Sequence, residues 1–279
     1  MFFRKSKEKE LRMIWEVRKN NKKSHLAGTA HFFPFSFRTS LSRYIENASF
    51  VLFEGPLDKE NMAKVVNGGS EKENSAHLFD ELDKKTIERI SEALVPTYGK
   101  RSPFLFFNLC TLSAENPVYE MVKGMRPWMA FFTIWSNFLE KNGWRYSVDY
   151  EAYCIAREMG KNMVFLETIE EQIEVLERLS HEKILDFLKQ VDRWHVYAQD
   201  YLKCYLDGDL DNLKSMWSRF PTRHISVIDR RDKILYERMG EYLEKGNALA
   251  FVGAPHIRGI RALLRADGYT THKVGHLRS

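Results

Sequence analysis

The chain has 279 residues, 44% of them hydrophobic and 29% charged. That composition supplies a sizeable core and excludes intrinsic disorder. The net charge of +5 is concentrated at one end: residues 1–23 hold nine Lys or Arg against three Glu, so the remainder is close to neutral. A basic arm of this kind can touch nucleic acid or an anionic membrane, but no base-reading motif accompanies it. A solvated terminus is expected, and no nucleic-acid partner. Cys110, Cys154 and Cys204 are far apart and odd in number, which argues against a disulfide framework. The opening MFFRKSKEKE lacks the apolar stretch of a signal peptide. The most apolar window, WMAFFTIW, is far short of the ~20 residues of a membrane-spanning helix. A cytoplasmic protein without a transmembrane segment is therefore expected.

In chain order, Met13 to Val17 reads as a strand, followed by the polar turn KNNKK and a second strand over LAGTAH, a hairpin pattern. The aromatic loop FFPFSF follows, its proline blocking helix continuation. Ser40 to Asn47 is short and helical. FVLF (residues 50–53) is an all-apolar run of strand length ending in Glu54, as expected for a strand buried on both faces of a parallel sheet. Residues 59–75, with two successive glycines, read as a loop. Helical periodicity covers 78–95, and 103–123 is helical or mixed. A helix begins at Pro127 and runs to 142, and another covers 149–159, stopped by Gly160. MVFL (163–166) is a second buried strand, followed by Glu167. Helices are expected over 169–190, 192–206, 209–217 and 229–245. The strand ALAFV (248–252) leads into Gly253-Ala254-Pro255-His256, then a helix over 257–266 and a last strand over 269–274.

This order predicts an α/β fold with a mainly parallel central sheet. A large helical cap, approximately 57–245, is inserted between the N- and C-terminal strands and interrupted by the strand near 163–166. No linker splits the chain, so residues 1–279 are read as one domain.

The chemistry gathers where strands end. Ligands in open α/β sheets bind beyond the carboxyl ends of the strands. Four strands here end in reactive groups: His31, Glu54, Glu167 and His256. If those strands are parallel and adjacent, all four groups share one edge. His31 and His256 stand in the same Gly-x-x-His step. The composition yields about half such a step by chance, so the pair alone is a weak signal and the strand-end placement strengthens it. Two histidines and a carboxylate form a common ligand set for Zn, Mn, Fe or Co. Such a metal would activate a water as nucleophile, with a second carboxylate as base or orienting group.

Each residue also has a plainer reading. His31 and His256 also read as hydrogen-bonded loop residues, Glu54 as a carboxylate at a helix start, and Asp149 as an N-cap. Thr168 and Glu171 form the spacing of a capping box, so Glu167 also reads as a residue that only adjoins a helix start. Arg231 either binds a substrate carboxylate or pairs with Glu54 or Glu167. Phe32, Phe33, Phe35 and Phe37 either line a pocket for apolar side chains or pack the cap. His272 and His276 read as structural or exposed. There is no Gly-x-Ser-x-Gly elbow, P-loop or dinucleotide fingerprint.

Five blocks, taken together, resemble the TraB/GumN family, which includes the PrgY proteins and the Tiki metalloproteases. They are LAGTAHFFP, FVLFEG, MRPWMAFF, SVDYEAYCIAREMGKNMVFLETIEEQ and DRRDKILYERMGEYLEKGNALAFVGAPHIRG, with RADGYTTHKV trailing. The resemblance implies a fold akin to the erythromycin-esterase and ChaN-like proteins, with both Gly-x-x-His steps at one site. It implies a metal-dependent hydrolase, with a peptide or protein as substrate and a divalent ion (Mn, Co or Zn) as cofactor. By position, it makes His31, Glu54 and His256 the metal ligands and Glu54, Glu167, Asp149 and Arg231 the catalytic set. The sequence departs from family members that are membrane-tethered or exported, and from the common His-Leu-x-Gly after the second motif, where it has His256-Ile-Arg-Gly. The other readings are a protein that binds and sequesters a peptide or small ligand in the same pocket, and one that handles metal or haem iron.

Overall fold

The hairpin of the first two strands turns at Asn20-Asn21, both with positive φ (49° and 60°). A two-residue hairpin turn of this hand matches the strand twist, and asparagine tolerates the left-handed region. In the computed structural model, which describes residues 8–71, 78–94, 117–217, 220–222 and 225–275, the turn joins β1 (Ile14–Lys19) to β2 (Lys22–Thr29). There follow α1 (Arg38–Glu46), β3 (Phe50–Phe53), α2 (Lys59–Gly69), α3 (Lys84–Leu94), α4 (Pro117–Val122) and α5 (Pro127–Lys141). Next come α6 (Val148–Glu158), β4 (Asn162–Phe165), α7 (Ile169–Glu177), α8 (His181–Lys189), α9 (Trp194–Asp207) and α10 (Leu210–Trp217). The chain closes with α11 (Ile225–Lys245), β5 (Ala248–Gly253), α12 (Ile257–Ala266) and β6 (Thr270–Lys273).

The six strands form one sheet in the order β4-β3-β5-β2-β1-β6. The three pairings from β4 to β2 are parallel, and those of β1 with β2 and β6 are antiparallel. The sheet is thus mainly parallel, with a helical region between its N- and C-terminal strands, as the sequence predicts. Central β5 is buried from Ala248 to Val252, which explains its unbroken apolar run. Helix α6 packs on β3 and β4, α11 on β2 and β5, and α12 on β2 and β6. The region between β3 and β5 is knit by aromatic side chains. Trp135 of α5, Phe187 of α8 and Trp194 of α9 meet with ring centroids 5.2–5.8 Å apart.

Four expected elements need correction. Strand β4 is a half-exposed edge strand rather than a buried one, with Asn162 and Phe165 exposed. The helix expected over 78–95 begins only at Lys84. Two further elements differ more. Residues 59–69 are helix α2 rather than loop. Asp58 caps it, accepting from the backbone N–H groups of Glu60 and Asn61, and Met62, Val65 and Val66 supply the apolar face that Gly68-Gly69 obscured. The expected helix over 169–190 is two helices, because Ser180 accepts from Lys183 N–H and starts α8 afresh. Most of 103–123, Cys110 and His276 fall outside the described residues. His272 is exposed on β6, Cys204 is buried and Cys154 half-buried. No helix among the described residues is long and apolar enough to cross a membrane.

Candidate active site

Strands β4, β3, β5 and β2 are adjacent and parallel, so their carboxyl ends lie side by side. Glu167, Glu54, His256 and His31 follow those ends in that spatial order. The two Gly-x-x-His steps are not in register. Gly28 pairs with Val252, and Gly253 pairs with Thr29, so the second step begins one residue further along its strand than the first.

Glu54 follows β3 and is anchored on both oxygens. Its Oε1 accepts from the backbone N–H of Gly253 at 2.6 Å, and its Oε2 receives Arg231 Nη2 at 3.4 Å. Burial pushes this carboxyl up, but Arg231, His256, the Gly253 amide and His31 together outweigh it and leave it below its ordinary value. Glu167, two residues past β4, is buried and grips Arg231 with both oxygens. Nε donates to Oε1 at 2.9 Å and Nη2 to Oε2 at 2.6 Å, the two-point geometry that suits guanidinium and carboxylate. Gln172 Nε2 donates to the same Glu167 at 3.4 Å. The capping box of Thr168 and Glu171 is also present, so Glu167 both adjoins a helix start and holds Arg231. The arginine, on α11, has its pKa raised, since the two carboxylates outweigh its burial.

His256 is buried between two partners. Its Nδ1 lies 2.6 Å from Asp232 Oδ1, and its Nε2 lies 3.3 Å from Arg231 Nη1 and 3.8 Å from Glu54 Oε1. Arginine can only donate, so these contacts assign the proton to Nδ1 and leave the Nε2 lone pair toward Arg231. Burial raises the Asp232 carboxyl above its ordinary value, with His256 pulling the other way. Sequence reasoning missed Asp232. The available signal was Gly259, three residues past His256 in HIRG: a Cβ there would sit 1.7 Å from Asp232 Oδ2, so only glycine admits the carboxylate.

His31 differs. Its Nδ1 pairs with Asp149 Oδ2, and its side chain is 73% exposed. Asp149 is buried in the first turn of α6 and also receives the hydroxyl of Ser147. It is not the N-cap, since Ser147 takes that place by accepting from Tyr150 N–H. Burial raises the Asp149 carboxyl, but His31 and Ser147 bring it below its ordinary value. Farther in, Tyr205 of α9 donates to the carbonyl of Gly28 at 2.6 Å and ties the end of β2 to the helical region.

A cavity of about 240 Å³ opens beside these groups. His31, Glu54, Arg231 and His256 line it, whereas Glu167, Asp149 and Asp232 stand behind them. Phe32 also lines it, while Phe33 and Phe37 are core residues packed against Tyr205. Among the described residues, no three His, Cys, Asp or Glu side chains already converge to hold a metal ion. The donors nevertheless suit one. His256 Nε2 and Glu54 Oε1, 3.8 Å apart, lie within the span of two ligand bonds of about 2.1 Å. Both histidines have Nδ1 held by a carboxylate, the usual support for ligation through Nε2.

Comparison with curated proteins and with solved structures gives no match. The model of the TraB/PrgY/gumN family matches residues 13–273, nearly the whole chain and every element of the site, and the chain belongs to that family.

Proposed function

We propose that the chain is a hydrolase whose site takes a divalent metal ion (Mn, Co or Zn), with a peptide bond as the expected target. One observation carries the reading: the two imidazoles that line the cavity with Glu54 and Arg231 each rest their Nδ1 on a buried carboxylate. This is how proteins orient metal-ligating or proton-transferring histidines. His31, His256 and Glu54 would hold the ion, which supplies Lewis-acid polarisation and a more acidic water.

The remaining roles follow from position. Asp149 and Asp232 fix ring orientation and tautomer. Glu167 is a positioning residue, because both its oxygens are spent on Arg231. Arg231, at the cavity wall, is placed to orient a substrate oxygen. Its contacts with His256 and Glu54 (3.3 and 3.4 Å) are longer than those with Glu167, so they are the ones that yield to a bound cation or substrate. His31, the exposed member, is the ligand that closes the set.

The second reading is a protein that binds a peptide or small ligand without cleaving it. It is favoured by Arg231 itself, a fixed cation set against two of the three donors. Metal titration by calorimetry with Mn, Co and Zn, on wild type, His31→Ala and His256→Ala, separates the two when combined with a peptide-cleavage assay. The hydrolase reading expects near-stoichiometric binding lost in both variants, and cleavage abolished by chelator. Ligand capture that survives chelation, without cleavage, would favour the binder.

A further inference from the structure

The cavity is charged at one end only. Away from His31, Glu54, Arg231 and His256, its wall is built by the helices between β3 and β5. Phe131, Phe132 and Trp135 come from α5, Leu176 from α7, Leu179 from the turn after it, and Tyr201 from α9. Trp135 is braced by Phe138, Phe187 and Trp194, so this wall is rigid. Leu176 and Leu179, three residues apart, are half-buried and both line the cavity. The whole pocket, open to solvent and with its charged end included, holds about 240 Å³, more than the roughly 150 Å³ cavity that accepts benzene. It falls below the roughly 300–1,000 Å³ of pockets for drug-sized ligands. It fits one bulky apolar group and not an extended chain.

We propose that this cavity is a specificity pocket, in which Trp135, Leu176 and Leu179 select a substrate carrying one large apolar group next to the hydrolysed acyl bond. The proposal rests on the hydrolase reading for its chemistry, though not for its binding. Water adds across the acyl carbon–nitrogen bond at the charged end, giving a carboxylic acid and an amine, while the apolar group stays among the helices. The group is an aromatic or branched amino-acid side chain or a short acyl chain, since both present the same surface. Apolar pockets discriminate by size at roughly 10–200-fold per missing methylene, so the preference is measurable.

Two arms test it. The first uses probes with no hydrolysable bond, 4-phenylbutanol and 1-propanol, titrated by ligand-observed NMR into wild type, Leu179→Trp and Leu176→Phe. Two variants on one wall guard against a folding defect in either, and thermal melts report folding. The expected result is at least tenfold tighter binding of 4-phenylbutanol to wild type, with that difference lost in the folded variants. Equal affinity for the two alcohols, or a preference untouched by both substitutions, overturns the proposal. The second arm compares kcat/KM for N-acetyl-amino-acid amides (Ala, Leu, Phe) and for n-acyl amides from acetyl to octanoyl. A rise of tenfold or more with size supports the pocket, and the series turned over identifies the source of the apolar group. Cleavage without size preference overturns the pocket and leaves the hydrolase. The expected probe binding with no cleavage in either series keeps the pocket and removes the hydrolase.

Discussion

His31 and His256 leave neighbouring parallel strands by the same four-residue step, yet they occupy opposite environments. The side chain of His31 is 73% exposed and that of His256 is 6% exposed. The buried ring is fixed on both nitrogens, by Asp232 and by Arg231, and Arg231 is fixed in turn by Glu167 and Glu54. The exposed ring is gripped through Asp149 at the cavity mouth. The difference teaches that a repeated motif positions two side chains without making them equivalent. One half of the site is a preorganised polar network in low dielectric, and the other is a more accessible arm.

The largest expected effect breaks the network half at its centre. Arg231→Ala leaves the buried Glu167 and the part-buried Glu54 without their cation, and removing one partner of a buried pair costs about 3–5 kcal/mol. Urea unfolding measures it, and a cost below about 1 kcal/mol would show that the carboxylates are hydrated and the network is not structural. Next in size is the direct contrast of the two motifs. His256→Ala strands the Asp232 carboxylate and is expected to cost about 1–3 kcal/mol. His31→Ala removes a mostly exposed partner and is expected to cost about 1 kcal/mol or less. If both variants nevertheless lose turnover by the same large factor, the two halves act as one site despite unequal structural weight. Equal stability costs would erase the comparison.

Acid titration sharpens it further. The Glu54 and Asp149 carboxyls both sit below their ordinary values of 4.5 and 3.8. A carboxyl depressed by folding contributes stability that is fully present above its unfolded pKa and is lost as pH falls through its folded pKa. Wild type is therefore expected to hold these contributions above pH 4.5 and to lose them progressively below it. Glu54→Gln and Asp149→Asn should each flatten part of that acid limb, measured as unfolding free energy against pH. Asp232 works the other way: its raised carboxyl weakens the fold as pH climbs from the ordinary value of 3.8 through its folded value. Asp232→Asn should remove that loss. If Glu54→Gln leaves the acid limb unchanged, its pairing with Arg231 is not what lowers its pKa.

Much of this was legible in the sequence because strand ends are local. The unbroken apolar runs at 50–53 and 248–252 identified buried parallel strands, and Glu54 directly after the first and His256 four residues after the second were read as site members. The order of the strands was not local, and the adjacency of β5 to both β2 and β3 came from the structure. Glu167 shows both sides of a local reading: its capping-box neighbourhood was correct, and its pairing with Arg231 was one of two alternatives for that arginine, which only the structure decides because the partner on α11 lies 64 residues away. Asp232 was hidden for the same reason. Nothing in its own helix distinguishes it from a surface acid, and only the approach of Gly259 makes room for it.

The smallest expected effect on stability is at Gly253, and it is read against the other motif glycine, Gly28. At Gly28 an added Cβ would meet Met13 Cγ at 2.6 Å, Ile257 Cγ1 at 3.1 Å and the Ala254 backbone at 3.2 Å. Gly28→Ala must therefore displace the Met13 side chain and crowd Ile257 and the Ala254 backbone, and overpacking of this kind costs about 1–3 kcal/mol. At Gly253 the nearest atom is Glu54 Oε1 at 3.3 Å, and the φ of −51° suits any L-residue. Gly253→Ala needs only a few tenths of an ångström of movement in one carboxylate, and a stability change within about 0.5 kcal/mol is expected. That movement falls on the group placed to ligate, so metal affinity or turnover should drop several-fold while the melting temperature stays put. A Gly253→Ala protein with unchanged binding and turnover would show that Glu54 tolerates displacement and is not a metal ligand. A Gly253→Ala protein as destabilised as Gly28→Ala would show that the second glycine, like the first, is there for packing.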